Sequence, residues 1–135
     1  MIPIAWRSFL FSFEGRIGRL PFWLFLLAGI PLGLINGLVE ALLEQAPRTG
    51  TLFYLAVVLM VVWACVEVAE LWAALAITSK RLHDRDRSGW FLFVIFIPFI
   101  GFFWLSYELG FARGSDRANR FGPAPGTAGL SRAAT

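Results

Sequence analysis

The sequence predicts an all-α, polytopic membrane protein with three transmembrane helices joined by short loops. Composition is the first reason: 58% of the residues are apolar and 16% carry a charge, against roughly 45–50% and 25% in an ordinary soluble domain. The second is distribution, because the apolar residues gather into three long runs with short polar joints between them. The third is where the cations lie. Arg16 and Arg19 precede one run, Lys80, Arg81, Arg85 and Arg87 precede another, and Arg113, Arg117 and Arg120 follow it. That placement suits residues that fix topology and touch anionic lipid headgroups.

The same figures exclude several classes. Twenty-two aromatic residues (6 Trp, 2 Tyr, 14 Phe) and a mean hydropathy of +0.68 rule out a disordered chain and disfavour a soluble enzyme. A pI near 9.8 would suit a nucleic-acid binder, but cations confined to the edges of apolar runs favour a membrane, so no nucleic-acid partner is expected. One cysteine, Cys65, and one histidine, His83, cannot supply a disulfide or a protein-only zinc site. Neither a metal nor a cofactor is expected.

Residues 1–19 read as an N-terminal interfacial segment, in which Phe9, Phe11 and Phe13 suit a short helix or an extended strip. Arg7, Glu14, Arg16 and Arg19 deny it the apolar core of a cleavable signal peptide, so the first apolar run is expected to act as an uncleaved insertion signal. The membrane domain then covers 20–112. A helix rises 1.5 Å per residue and the hydrocarbon layer is roughly 30 Å thick, so about 20 apolar residues cross it. The first span, 20–39, is uncharged, opens with Pro21 in a position suited to a first helical turn, and carries Pro31 near its middle. The second, 51–78, is interrupted by Glu67 and Glu70. The third, 90–111, contains Pro98 and Gly101 and ends near Glu108. Trp23, Trp90 and Trp104 lie toward span ends, where indole rings favour the headgroup layer. Residues 113–135 form a polar tail, expected to be disordered beyond about Gly126 because it is rich in Gly, Pro, Ala and Ser.

With three spans, seven cations lie on the N-terminal side and five on the other, so the N-terminus is expected in the cytoplasm. A third segment that turned back at 98–101 would change the count to eleven against one. Three full spans are expected, since a turn at membrane depth exposes backbone groups that lipid cannot bond.

Four blocks carry a family resemblance: Phe13-Glu14-Gly15-Arg16-Ile17-Gly18-Arg19 with Phe22-Trp23; Arg81-Leu82-His83-Asp84-Arg85-Asp86-Arg87-Ser88-Gly89-Trp90; Ile97-Pro98-Phe99-Ile100-Gly101; and Asn119-Arg120-Phe121-Gly122-Pro123 with Pro125. Together they resemble the bacterial inner-membrane family catalogued as domain of unknown function 805, the YhaH-like proteins, over roughly 13–125. The resemblance implies a small multi-span protein of the bacterial cytoplasmic membrane with no established enzymatic role. Family tails often read G-T-x-G-x-N, and Arg117 stands here where the second glycine would be.

The polar residues offered as a site are Arg16, Arg19, Glu67, Glu70, Arg81, His83, Asp84, Arg85 and Ser88. Glu67 and Glu70 share a helix face that continues through Ala74, Thr78 and Arg81. Carboxylates in hydrocarbon cost roughly 2.5–3.5 kcal/mol on insertion scales, so they are expected to face protein or water. Two readings follow: a proton- or cation-handling seam, as in a small transporter or channel subunit, or a structural role, in which the helix has already reached the interface or the carboxylates pair with Arg16, Arg19, Arg81 or Arg85 and lock the bundle. His83 and Asp84 invite a third reading, an enzyme acting on lipid headgroups. Adjacent helical residues point about 100° apart, however, so the dipeptide creates no His–Asp relay, and no catalytic residue is assigned. Ser88 or Asp86 is expected to cap the third helix. The glycines of 15–18 lack the strand and the Lys-Ser/Thr of a nucleotide loop. The favoured reading is a structural or interaction module in contact with anionic headgroups, and with itself or other membrane proteins.

Overall fold

The structure, a computed structural model, describes residues 6–46 and 48–125. The expected disorder beyond Gly126 falls outside them. The described residues are helical apart from loops and one isolated bridge between Asn119 and Gly122. A short helix α1 (Trp6–Phe11) leads to α2 (Arg19–Glu44) and α3 (Thr51–Asp84). These two long helices hold the only described segments long and apolar enough to cross a membrane.

At 1.5 Å per residue, α2 spans about 39 Å and α3 about 51 Å. Their middles present Leu, Val and Ile on nearly every face, with Leu34 72% and Val68 66% exposed. A helix apolar all round needs lipid or protein around it. Pro31 lies inside α2 without ending it. Helix α3 runs six residues past the expected end of its span, carrying Lys80, Arg81 and Asp84 beyond the apolar stretch.

The third apolar segment is not one helix. Gly89–Phe96 forms a 3₁₀ helix, the chain turns at 97–99, and α4 (Ile100–Ser106) continues as a π-helical turn over Tyr107–Phe111. The 3₁₀ helix and α4 pack on each other; the 3₁₀ helix also packs on α3, and the π-helical turn after α4 packs on α2 and α3. The single helical span expected over 90–111 is therefore replaced by a helical hairpin. Its reason is local. Pro98 lacks an N–H, while the N–H groups of Ile97, Ile100 and Gly101 donate to Val94 O, Pro98 O and Ile97 O, so the turn closes most of its own hydrogen bonds. Gly101 lets the two arms meet: a Cβ there would stand 1.9 Å from Val94 O.

Burial is concentrated at one end. Ile17, Phe22 and Ile77 form the core, flanked by Phe9, Phe25 and Leu109. Helix α1 is held on α3 by Trp72 Nε1 donating to Phe11 O at 3.2 Å and by Lys80 Nζ donating to Ser8 O and Phe9 O at 2.6 and 2.7 Å.

Candidate functional site

The last turn of α3 places three side chains where four segments meet. Arg81 is fully buried. Its Nε donates to Leu109 O at 2.8 Å, Nη2 to Ala112 O at 2.5 Å, and Nη1 to Asp84 Oδ2 at 2.5 Å. The free carbonyls at the end of the π-helical turn are thus capped by a guanidinium from another helix. Asp84 Oδ1 accepts from Arg16 Nη2 at 2.9 Å. Arg16 Nε also donates to Asp84 Oδ1, and its terminal nitrogens reach the tail carbonyls of Ser115, Arg117 and Gly122 and the Ser115 hydroxyl. Asp84 O in turn accepts from Ser115 N at 2.8 Å. Gly114 must be glycine for this approach, since a Cβ would lie 1.9 Å from Asp84 Oδ2.

A second pair of ion bridges sits beside the first. Glu108 is buried, accepts from Arg85 Nε at 3.0 Å and is ion-paired with Arg87 Nε at 2.7 Å. Arg85 Nη1 also donates to Arg113 O. The ring of His83 stacks on Phe121, with centroids 3.8 Å apart and planes 3° from parallel. Its Nδ1 lies 3.2 Å from Gly15 O, an acceptor, so that nitrogen carries the proton. Asn119 closes the tail by donating to His83 O at 2.8 Å and accepting from Phe121 N at 2.9 Å. Arg117 is outside the left-handed region, so the turn does not need the family's second glycine.

Of the nine predicted residues, Arg16, Arg81, His83, Asp84 and Arg85 come together here. Ser88 caps the 3₁₀ helix by accepting from Trp90 N, at a long 3.4 Å. Arg19 is exposed, forms no ion pair or side-chain hydrogen bond among the described residues, and lines a cleft of about 480 Å³ with Arg113 and Asp116. Glu67 and Glu70 lie elsewhere, along α3. Glu70 Oε2 accepts from Asn36 Nδ2 of α2 at 3.2 Å, and neither carboxylate forms an ion pair among the described residues. Of the arginines expected for them, Arg16 and Arg81 belong to Asp84 and Arg85 to Glu108. Glu108, Ser115 and Asn119 are site residues beyond the predicted set. Glu108 had a visible signal, a charge near the end of an apolar run. Ser115 stood at the Thr position of the family tail pattern and Asn119 in the fourth family block.

Chemically, this arrangement ties chain segments together. Both oxygens of Asp84 are occupied by guanidinium groups, and His83 and Asp84 face different partners, so the pair forms no relay. No group of three His, Cys, Asp or Glu among the described residues is placed to hold a metal ion.

The family described as "Protein of unknown function (DUF805)" matches residues 10–123, a stretch that includes every residue of this knot of side chains around Arg81, Asp84 and Glu108. The chain belongs to the DUF805 family. It is 32% identical to "Inner membrane protein YhaH" of Escherichia coli (strain K12) over 117 residues, 84% of this chain and 87% of that protein. It is 34% identical to "Inner membrane protein YhaI" of the same strain over 116 residues, 84% and 86% of the two chains. "Uncharacterized protein YiiR" of that strain is 34% identical over 97 residues, 70% of this chain and 56% of that one. No solved structure matches. The relatives named as inner-membrane proteins agree with the two long apolar helices found here, and the knot draws on the blocks at 13–19, 81–90 and 119–123 together with residues 108–117 between them.

Proposed function

We propose that this DUF805 chain is a structural and interaction module of the bacterial inner membrane, crossing it twice and entering a third time as a re-entrant hairpin. Both the N-terminal segment and the tail lie on the cytoplasmic side. The observation that carries this reading is the return of the hairpin: Leu109 O and Ala112 O, at its far end, bond to Arg81 at the end of α3, where its near end also starts. Entry and exit therefore share one face of the membrane. Every described Lys and Arg except Arg48 then falls on that face, the bias expected of a cytoplasmic side. The cationic face is suited to anionic headgroups and to partners, another copy or a different membrane protein, that dock at the same level.

The test uses single cysteines in a Cys65→Ala background and a membrane-impermeant maleimide. Arg48→Cys is expected to label in intact spheroplasts, and Asp116→Cys only after permeabilisation. Labelling of Asp116→Cys from outside would restore three full spans. The ion-handling alternative has the Asn36–Glu70 bond inside the apolar region to recommend it. Proteoliposomes holding the purified protein are expected to keep an imposed proton gradient; a leak that Glu67→Gln or Glu70→Gln abolishes would favour transport instead.

A further inference from the structure

Along one face of α4 and the turn that follows it runs a groove of about 660 Å³, within the usual range of small-ligand sites. Its polarity changes from end to end. At the knot it is lined by Arg85, Arg87 and Glu108, and toward the hairpin tip by Trp104, Phe103 and Ile100. The tip lies about 13 Å from Glu108 along the helix, nearly half the hydrocarbon thickness of roughly 30 Å. A groove that is charged at the interface and apolar for the depth of one leaflet has the profile of a phospholipid.

The charged end also has the right balance. Two guanidinium groups face one carboxylate, leaving a single positive charge, which a phosphodiester neutralises. Arg87 is held ready for it: Nε is bound to Glu108 Oε1 at 2.7 Å and the guanidinium lies 4.6 Å over the Phe91 ring. Both terminal nitrogens are left without an acceptor among the described residues, and the side chain is 41% exposed. The π-helical turn at Tyr107–Phe111 is a second pointer, because such turns recur at functional sites; here it contains Glu108.

We propose that this groove binds one anionic phospholipid, its phosphodiester on Arg87 and Arg85 and an acyl chain against Trp104 and Phe103. The inference rests on the re-entrant topology proposed above. The full chain in nanodiscs of phosphatidylcholine provides the test, with brominated phosphatidylglycerol or brominated phosphatidylcholine added as the quencher. The Trp104 signal is the difference between the unmodified chain and Trp104→Phe. It is expected to be quenched at about fivefold lower mole fraction by the anionic lipid, the preference one arginine supplies at a membrane surface. Arg87→Gln is expected to lose that preference and Arg87→Lys to retain most of it. Free inorganic phosphate is expected to leave the preference intact; if phosphate abolishes it, the cations form a simple anion site and the lipid proposal fails. Equal quenching by both lipids places the hairpin in the bilayer but overturns the site. Quenching by neither overturns the topology as well. A photoreactive phosphatidylglycerol with a diazirine on its acyl chain needs no variant: label is expected on 99–107, and label spread equally over α2 and α3 would refute the groove.

Discussion

Asp84 holds two guanidinium groups at once, Arg16 at 2.9 Å and Arg81 at 2.5 Å, with all three side chains almost wholly buried. Removing one member of such a set leaves charge buried and uncompensated, at a cost of about 3–5 kcal/mol. Asp84→Asn is therefore expected to lower stability by that amount, measured by denaturant titration in mild detergent, and to free the tail at Ser115 to protease. Glu67→Gln is the matched comparison. Glu67 makes no ion pair, so the substitution is expected to leave the unfolding midpoint unchanged; a loss like that of Asp84→Asn would mean that Glu67 supports the bundle. These residues also mark what the sequence discloses at this scale. The presence of Arg16, Arg81, His83, Asp84 and Arg85 in one polar cluster was legible from their crowding beside apolar runs. Their pairing was not, because the spacing of Glu67 and Glu70 says that they share a face and nothing about what faces them. The tail partners of Arg16 arrive from 115–122, about a hundred residues away, and only the return of the hairpin brings them there.

The hairpin is the element that hydropathy alone misreads. A run of about 22 apolar residues has one mean hydropathy whether it crosses once or turns back halfway. The discriminating signs were Pro98 and Gly101, and their weight depends on hydrogen bonds that the sequence does not display. Phe99, at the tip, has φ 58°, an uncommon conformation for a bulky residue, which the contacts of both arms must hold in place. Gly101→Ala is expected to open the hairpin, since its Cβ would meet the Val94 carbonyl well inside contact distance. Gly33→Ala in α2 tests whether the effect is specific. An added Cβ there meets nothing within 4 Å, and alanine is favoured over glycine in a helix by about 0.5–1 kcal/mol. The first variant is expected to melt at lower temperature than the parent and the second at the same or higher temperature. Equal melting of the two would show that the close approach at Gly101 is not needed for the fold.

For the molecule as a whole, the reading of the third segment decides which way the chain sits. With three spans the cations divide seven to five, a bias too small to fix orientation firmly. With a re-entrant hairpin, the described cations divide ten to one, Arg48 standing alone in the loop between α2 and α3. The bias counts Lys and Arg near span ends, with acidic residues contributing little. A chain so biased tolerates added charge on its poor side. Gln45→Lys together with Thr49→Lys raises that side from one cation to three, against ten. The double variant is expected to insert as the parent does, with a C-terminal fluorescent reporter bright in the cytoplasm and a C-terminal phosphatase fusion inactive. Under the three-span alternative, with its near balance, the same two lysines would bring the count on the far side level with the near side. A mixed or inverted population would follow, visible as phosphatase activity that changes between parent and variant. An unchanged cytoplasmic tail would thus be evidence for the proposed re-entrant hairpin, obtained without touching it, because in that topology the charge that holds the tail inside is the charge that the hairpin returns to one face.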